Sequence, residues 1–155
     1  MGRAVATLVM ALGLIAVWTV PADAASTRAE YIAQADPICQ NTEVAERRAL
    51  GPKGTVLRLL KHGRYKEAAR RYRNNTAAFS AGVEQLAVLE PTSADAQLIT
   101  NWVQMLRKQI PVANRATAAM AHGHPIDKFL RRLGSMNVET HALVATFGFH
   151  YCDRL

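Results

Sequence analysis

The stretch "RYKEAARRYRNNTAAFSAGVEQLAVLE", residues 64–90, decides the fold. Tyr65, Ala68, Ala69 and Tyr72 recur three and four residues apart, and Thr76, Phe79, Val83 and Leu86 continue the series. Arg64, Lys66, Glu67, Arg70, Arg71 and Arg73 fill the opposite side. One apolar stripe and one charged side at that spacing predict a long amphipathic helix, ended by Pro91. Glu67 and Arg71, four apart, add a helix-stabilising pair.

The same period extends outward in both directions. Upstream, Thr27 and Glu30 form a capping-box pattern. Asp36-Pro37 reads as a second start signal, because Pro favours the first helical position. Residues 28–49 are therefore either one kinked helix or a short helix and a longer one. Gly51-Pro52-Lys53-Gly54 ends that segment, and Thr55 opens a short helix that stops at Gly63. Downstream, Ser93 is the expected cap of a helix whose stripe is Leu98, Trp102, Met105, Leu106, Ala113, Ala116 and Met120. Pro111 interrupts it without changing the phase, which predicts a kink. "HGHP" at 122–125 is a turn. The last helix is expected from Pro125 onward, with Ile126, Phe129, Leu133, Met136, Thr140, Val144, Phe147 and Tyr151 on one side. No segment alternates long enough to predict a strand. The expected fold is all-α, a four- to five-helix antiparallel bundle closed by one disulfide.

Ahead of these helices lie Arg3, an apolar run "AVATLVMALGLIAVWTV", Pro21, and small residues at Ala22 and Ala24. This is the order of a secretory signal peptide, with cleavage expected between Ala24 and Ala25. Residues 1–24 are then the leader and 25–155 a single helical domain. The alternative is an N-terminal membrane anchor, for which the run is short. Residues 1–24 carry one charge of each sign, Arg3 and Asp23, so the formal +7 stays with the exported domain.

An exported chain meets oxidising conditions, where a lone pair of cysteines usually bonds. Cys39 and Cys152 are the two cysteines of the sequence. Cys39 falls near the start of the first long helix and Cys152 at the end of the last, positions that an antiparallel bundle can bring together. Two free buried thiols are the alternative. A CxxC, HxxxH or CxxCH pattern is missing, which argues against a cysteine-based metal site and against c-type haem attachment.

The leader, "YIAQADPICQ", the helical body and "FGFHYC" together resemble a group of small exported helical proteins common in high-GC actinobacteria. That group has an early ADxIC segment and a C-terminal GFxxC. Ala35, Asp36, Ile38 and Cys39 match the first, with Pro37 at its variable position; Gly148, Phe149 and Cys152 match the second. The resemblance implies export, helices and a disulfide, and carries no functional site.

Seven cations crowd residues 58–73: Arg58, Lys61, Arg64, Lys66, Arg70, Arg71 and Arg73, opposed only by Glu67. Such a field attracts anionic envelope polymers or lipid headgroups, with at most peripheral membrane contact once the leader is removed. Export argues against nucleic acid. Its bland reading is a solvated face. His122 and His124 flank Gly123 in a turn, and His62 lies three residues from Tyr65, a pair of residue types that can ligate haem. A nucleophile elbow or a phosphate-cradling glycine loop is missing, and the apolar stripes carry almost no ionisable groups. The expected function is therefore non-catalytic binding within the cell envelope, with no resident cofactor. The alternative is a carrier of a small ligand such as haem.

Overall fold

A computed structural model describes residues 27–155. The expected leader and its cleavage point lie outside the described residues. The chain forms α1 (Arg28–Leu50), α2 (Thr55–Lys61), α3 (Tyr65–Ala87), α4 (Ala96–Ala121), α5 (Asp127–Val144) and a closing 3-10 turn, Cys152–Arg154. Among the described residues there is no strand. The all-α bundle expected from the periodicity is the fold.

The capping box forms as its sequence requires: Thr27 Oγ1 accepts the Glu30 amide at 3.2 Å, and Glu30 accepts the Thr27 amide at 3.1 Å. Residues 28–50 are one helix, and Asp36-Pro37 does not restart it. Pro37 and Pro111 both lie on exposed sides of their helices, where a missing N–H disturbs no packed contact. Ser93 does not cap α4. It is exposed, and Asp95 takes the cap position while its amide donates to Thr92 Oγ1 at 3.3 Å.

α1 packs on α3, α3 on α4, and α4 on α5, with α2 folded against α3. Neighbours run antiparallel. Gly82 of α3 sits against Thr42 of α1, and Gly51 at the end of α1 sits against Arg71 near the start of α3. Between α3 and α4, Glu84 meets Arg107 at 2.6 Å. Between α4 and α5, Gln109 Nε2 donates to Thr140 Oγ1 at 3.2 Å. α1 and α4 thus point the same way, and Arg28 joins their N-terminal ends through Asp95 at 2.5 Å.

The last helix stops earlier than its apolar period suggests. α5 ends at Val144. Phe147 and Phe149 then turn into the core, across Gly148 at φ +103°, a backbone region that favours glycine. Phe149 stacks on Trp102 at 5.3 Å, and Phe147 meets Tyr31 edge-on at 6.0 Å. This aromatic group fills the larger of two cores, together with Ala35, Cys39, Val83, Leu86 and Leu106. Cys152 therefore reaches Cys39 from the 3-10 turn and not from the end of a helix; the disulfide is formed. A bond of this kind fits an oxidising, extracytoplasmic compartment. Among the described residues no helix is long and apolar enough to cross a membrane.

The smaller core lies at the other end of the bundle. It consists of Leu59, Ala68, Ala69 and Met120, with Val56, Leu60, Tyr72 and Ile126 partly buried around it. Here α2, the end of α1 and the start of α5 close the bundle loosely.

Candidate binding cleft

Four glycine-proline-rich residues, 51–54, hold α2 away from the axis of α1. α5 begins on the far side of the same end. The space between them is an open cleft of about 970 Å³. Its floor is Met120 and Tyr72, and its walls are Leu50, Val56, Leu60, Ile126 and Leu130. Arg47, Arg48 and Lys53 stand along one edge. Leu57 is 58% exposed and Leu130 43%, both large apolar side chains left in water at the rim. Tyr65, 40% exposed, continues this apolar surface beside Gly123, His124 and Pro125. Clustered exposed apolar groups beside a concavity mark a binding surface more than scattered ones do.

Two of the three charges of the rim are available to a ligand. Arg47 pairs with Glu43 one turn earlier. Arg48 and Lys53 are exposed and have no ion-pair partner among the described residues. The C-terminal carbonyls of α1 lie nearby, and Gly51 returns its amide to Arg47 O at 2.9 Å, closing that helix end.

The seven cations singled out in the sequence lie at this same end, on α2 and the first turns of α3, but they do not form one uniform face. Arg58, Lys61, Lys66, Arg70 and Arg73 are exposed. Arg64 pairs with Glu67. Arg71 is half-buried; its guanidinium fills the space beside Gly51 and lies 3.9 Å from Glu67. None of the seven lines the cleft. The histidines are dispersed: His62 ends α2, His122 ends α4 with its ring 6.0 Å from that of His124, and His141 is exposed on α5. Tyr65 shares its recess with His124, while His62 is not part of that lining. Tyr65 is thus a rim residue and not the core residue its helical phase suggests. Among the described residues no three His, Cys, Asp or Glu side chains stand together to hold a metal.

A smaller space of about 200 Å³, with exposed Asn137 and Arg154 on its lining, lies beside the cleft, and Tyr72 lines both. It holds an exception to apolar stripes that carry almost no ionisable groups. Glu46 is half-buried in phase with Cys39 and Thr42 of α1, and burial pushes its carboxyl up to about 7; a hydrogen bond from Asn75 opposes the rise and Glu43 adds to it. Burial, with Glu46 adding, also raises the Tyr72 phenol. Gln109 is buried in α4, three residues after Leu106 and four before Ala113. Neither residue was singled out from the sequence, although a polar residue in phase with an apolar stripe is the signal that finds them.

The chain was compared with protein-family models, with curated proteins and with solved structures, and none of them matches.

Proposed function

We propose that the protein is a non-catalytic binding protein of the cell envelope whose cleft takes an elongated apolar ligand with an anionic head. The observation that carries this reading is the pairing of an open aliphatic cleft of about 970 Å³ with the unpaired cations Arg48 and Lys53 on its edge. Burying an alkyl chain in it supplies roughly 0.8 kcal/mol per methylene. The cations add selection for a carboxylate, phosphate or sulfate at one end. The exposed cations Arg58, Lys61, Lys66, Arg70 and Arg73 surround the same end of the bundle, and they favour approach to the anionic surfaces where such ligands reside.

Calorimetry with dodecanoate and with dodecanol tests this on the exported protein. Dodecanoate is expected to bind more tightly, and Leu130→Glu to abolish binding of both. Arg48→Glu with Lys53→Glu is expected to remove the preference for the acid while leaving the alcohol unchanged. Equal and unsaturable uptake of both by the parent and by Leu130→Glu overturns the reading.

Tyr65 and His124 in one recess of the rim favour a second reading, a planar apolar ligand such as haem. A Soret shift on adding haem, lost in Tyr65→Phe and kept in His62→Ala, would assign the recess to it. No spectral change would remove it.

A further inference from the structure

The cavity beside Tyr72 is built by the whole bundle. Glu46 comes from α1, Asn75 from α3, Gln109 from α4, Asn137 from α5 and Arg154 from the closing turn. Five elements that are distant in sequence each place at least one polar side chain on a space of about 200 Å³. A polar space of this size holds about six waters, or one small solute of the same bulk.

One acceptor on this cavity is left over. Asn75 Oδ1 is buried and has no hydrogen-bond partner. Gln109 gives one of its two amide N–H groups to Thr140 Oγ1 at 3.2 Å, which leaves it one N–H and its carbonyl oxygen. Among the described residues no cation stands within ion-pair distance of Glu46. Arg154 does not answer it: its guanidinium lies over the Tyr151 ring at 5.7 Å, and its Nε is 3.8 Å from Asp153. Tyr72 and Phe79 add aromatic wall. A buried orphan acceptor beside a largely desolvated carboxyl, whose own hydrogen bond comes from Asn75, favours a donor that brings its own positive charge. An ammonium group has three N–H donors and no acceptor.

We infer that this cavity is a binding site for a small organic ammonium ion, held by Glu46 and Asn75 and covered by the Tyr72 and Phe79 rings. The site is separate from the apolar cleft in ligand chemistry and in residues, except for the shared wall at Tyr72. Its raised carboxyl is consistent with a site whose countercharge arrives with the ligand. Glu43, Tyr72 and Arg154 are the other titratable or charged groups around Glu46.

The test is carbon NMR of the full exported chain, labelled at the glutamate carboxyls, with propylammonium, propanol and potassium as probes at equal ionic strength. Propylammonium is expected to move the Glu46 titration midpoint to lower pH and to shift the Asn75 side-chain amide. Propanol and potassium are expected to do neither. Glu46→Gln should weaken propylammonium binding about tenfold or more, and Asn75→Asp should strengthen it by a similar factor. The second variant keeps the test decisive if the first fails to fold. Three probes with equal effect, a Glu46 midpoint that none of them moves, or Glu46→Gln binding as tightly as the parent would each overturn the inference and leave a water-filled cavity.

Discussion

Asp36 accepts the backbone N–H of Cys152 at 3.2 Å, three residues before the cysteine to which Cys152 is bonded. The same carboxylate accepts the amides of His150 at 3.0 Å and Tyr151 at 3.0 Å. An acid that reads as a helix start in the sequence instead caps the C-terminal turn, 114 to 116 residues away. Asp36→Ala leaves three amides without their acceptor and is expected to cost about 2–4 kcal/mol in urea unfolding. Asp36→Asn keeps one acceptor oxygen and should lose less. Reduction with alkylation of the disulfide removes a constraint across 113 residues, and the chain-entropy model puts that at up to about 5 kcal/mol. A parent and an Asp36→Ala variant with the same urea midpoint would show that the carboxylate carries no load.

Gly82 sets the approach of α3 to α1. A Cβ placed there would overlap the Thr42 side chain. Gly82→Ala is expected to destabilise by about 1–3 kcal/mol, although alanine is the better helix former. Thr42→Gly should return much of that loss in the double variant. Simple additivity of the two changes would mean that the residues are not in contact.

Tyr31 is 1% exposed, and its hydroxyl is buried without a hydrogen-bond partner. Burial pushes the phenol up to about 12, so it stays neutral across the working range. Tyr31→Phe keeps the ring against Phe147 and removes an oxygen that folding has stripped of water. The variant is expected to be equal to the parent or up to about 1 kcal/mol more stable. A loss of more than that in a thermal melt would reveal a partner for the hydroxyl.

The Glu46 carboxyl is raised to about 7 from an ordinary 4.5, so the folded protein holds this proton more tightly than the unfolded chain does. The associated stability is complete below the ordinary value and is lost as pH rises through 7. Glu46→Gln is therefore expected to match the parent at low pH and to exceed it by about 2 kcal/mol at alkaline pH. Urea titrations across this range check the crossing, and a constant difference at all pH values would contradict it.

Asp95 shows the opposite sign. The hydrogen bonds from Arg28 hold its carboxyl below the usual carboxylate range, against the effect of burial. That contribution is complete above the ordinary value near 3.8 and is lost as pH falls through the lower folded value. Asp95→Asn should flatten the acid limb of the stability curve, read by circular dichroism. An acid limb identical to that of the parent would show the pair to be idle.

How far the sequence reached differs from element to element. Helix α3 was legible because cations crowd one side of its first turns while an apolar phase runs on from Ala68 to Leu86. The Thr27–Glu30 cap was legible because both partners are local. The end of α5 was not, because Phe147 keeps helical phase while it actually turns inward to meet Tyr31. Glu46 and Gln109 stood at core phase and were passed over. The apolar cleft had only a faint signal, in residues such as Leu57 and Leu130 that sit off the main stripes.

By itself the sequence determined the helices, their antiparallel order and the pair of cysteines that closes them, because periodicity, caps and turns act over a few residues and an exposed edge of charge cannot be buried. Tertiary structure alone decided that Asp36 caps a distant turn, that Arg71 leaves the basic face to pack on Gly51, and that α2 and α5 part to open a cleft. Those outcomes depend on which faces of separate helices meet and at what distance, and no local pattern encodes that.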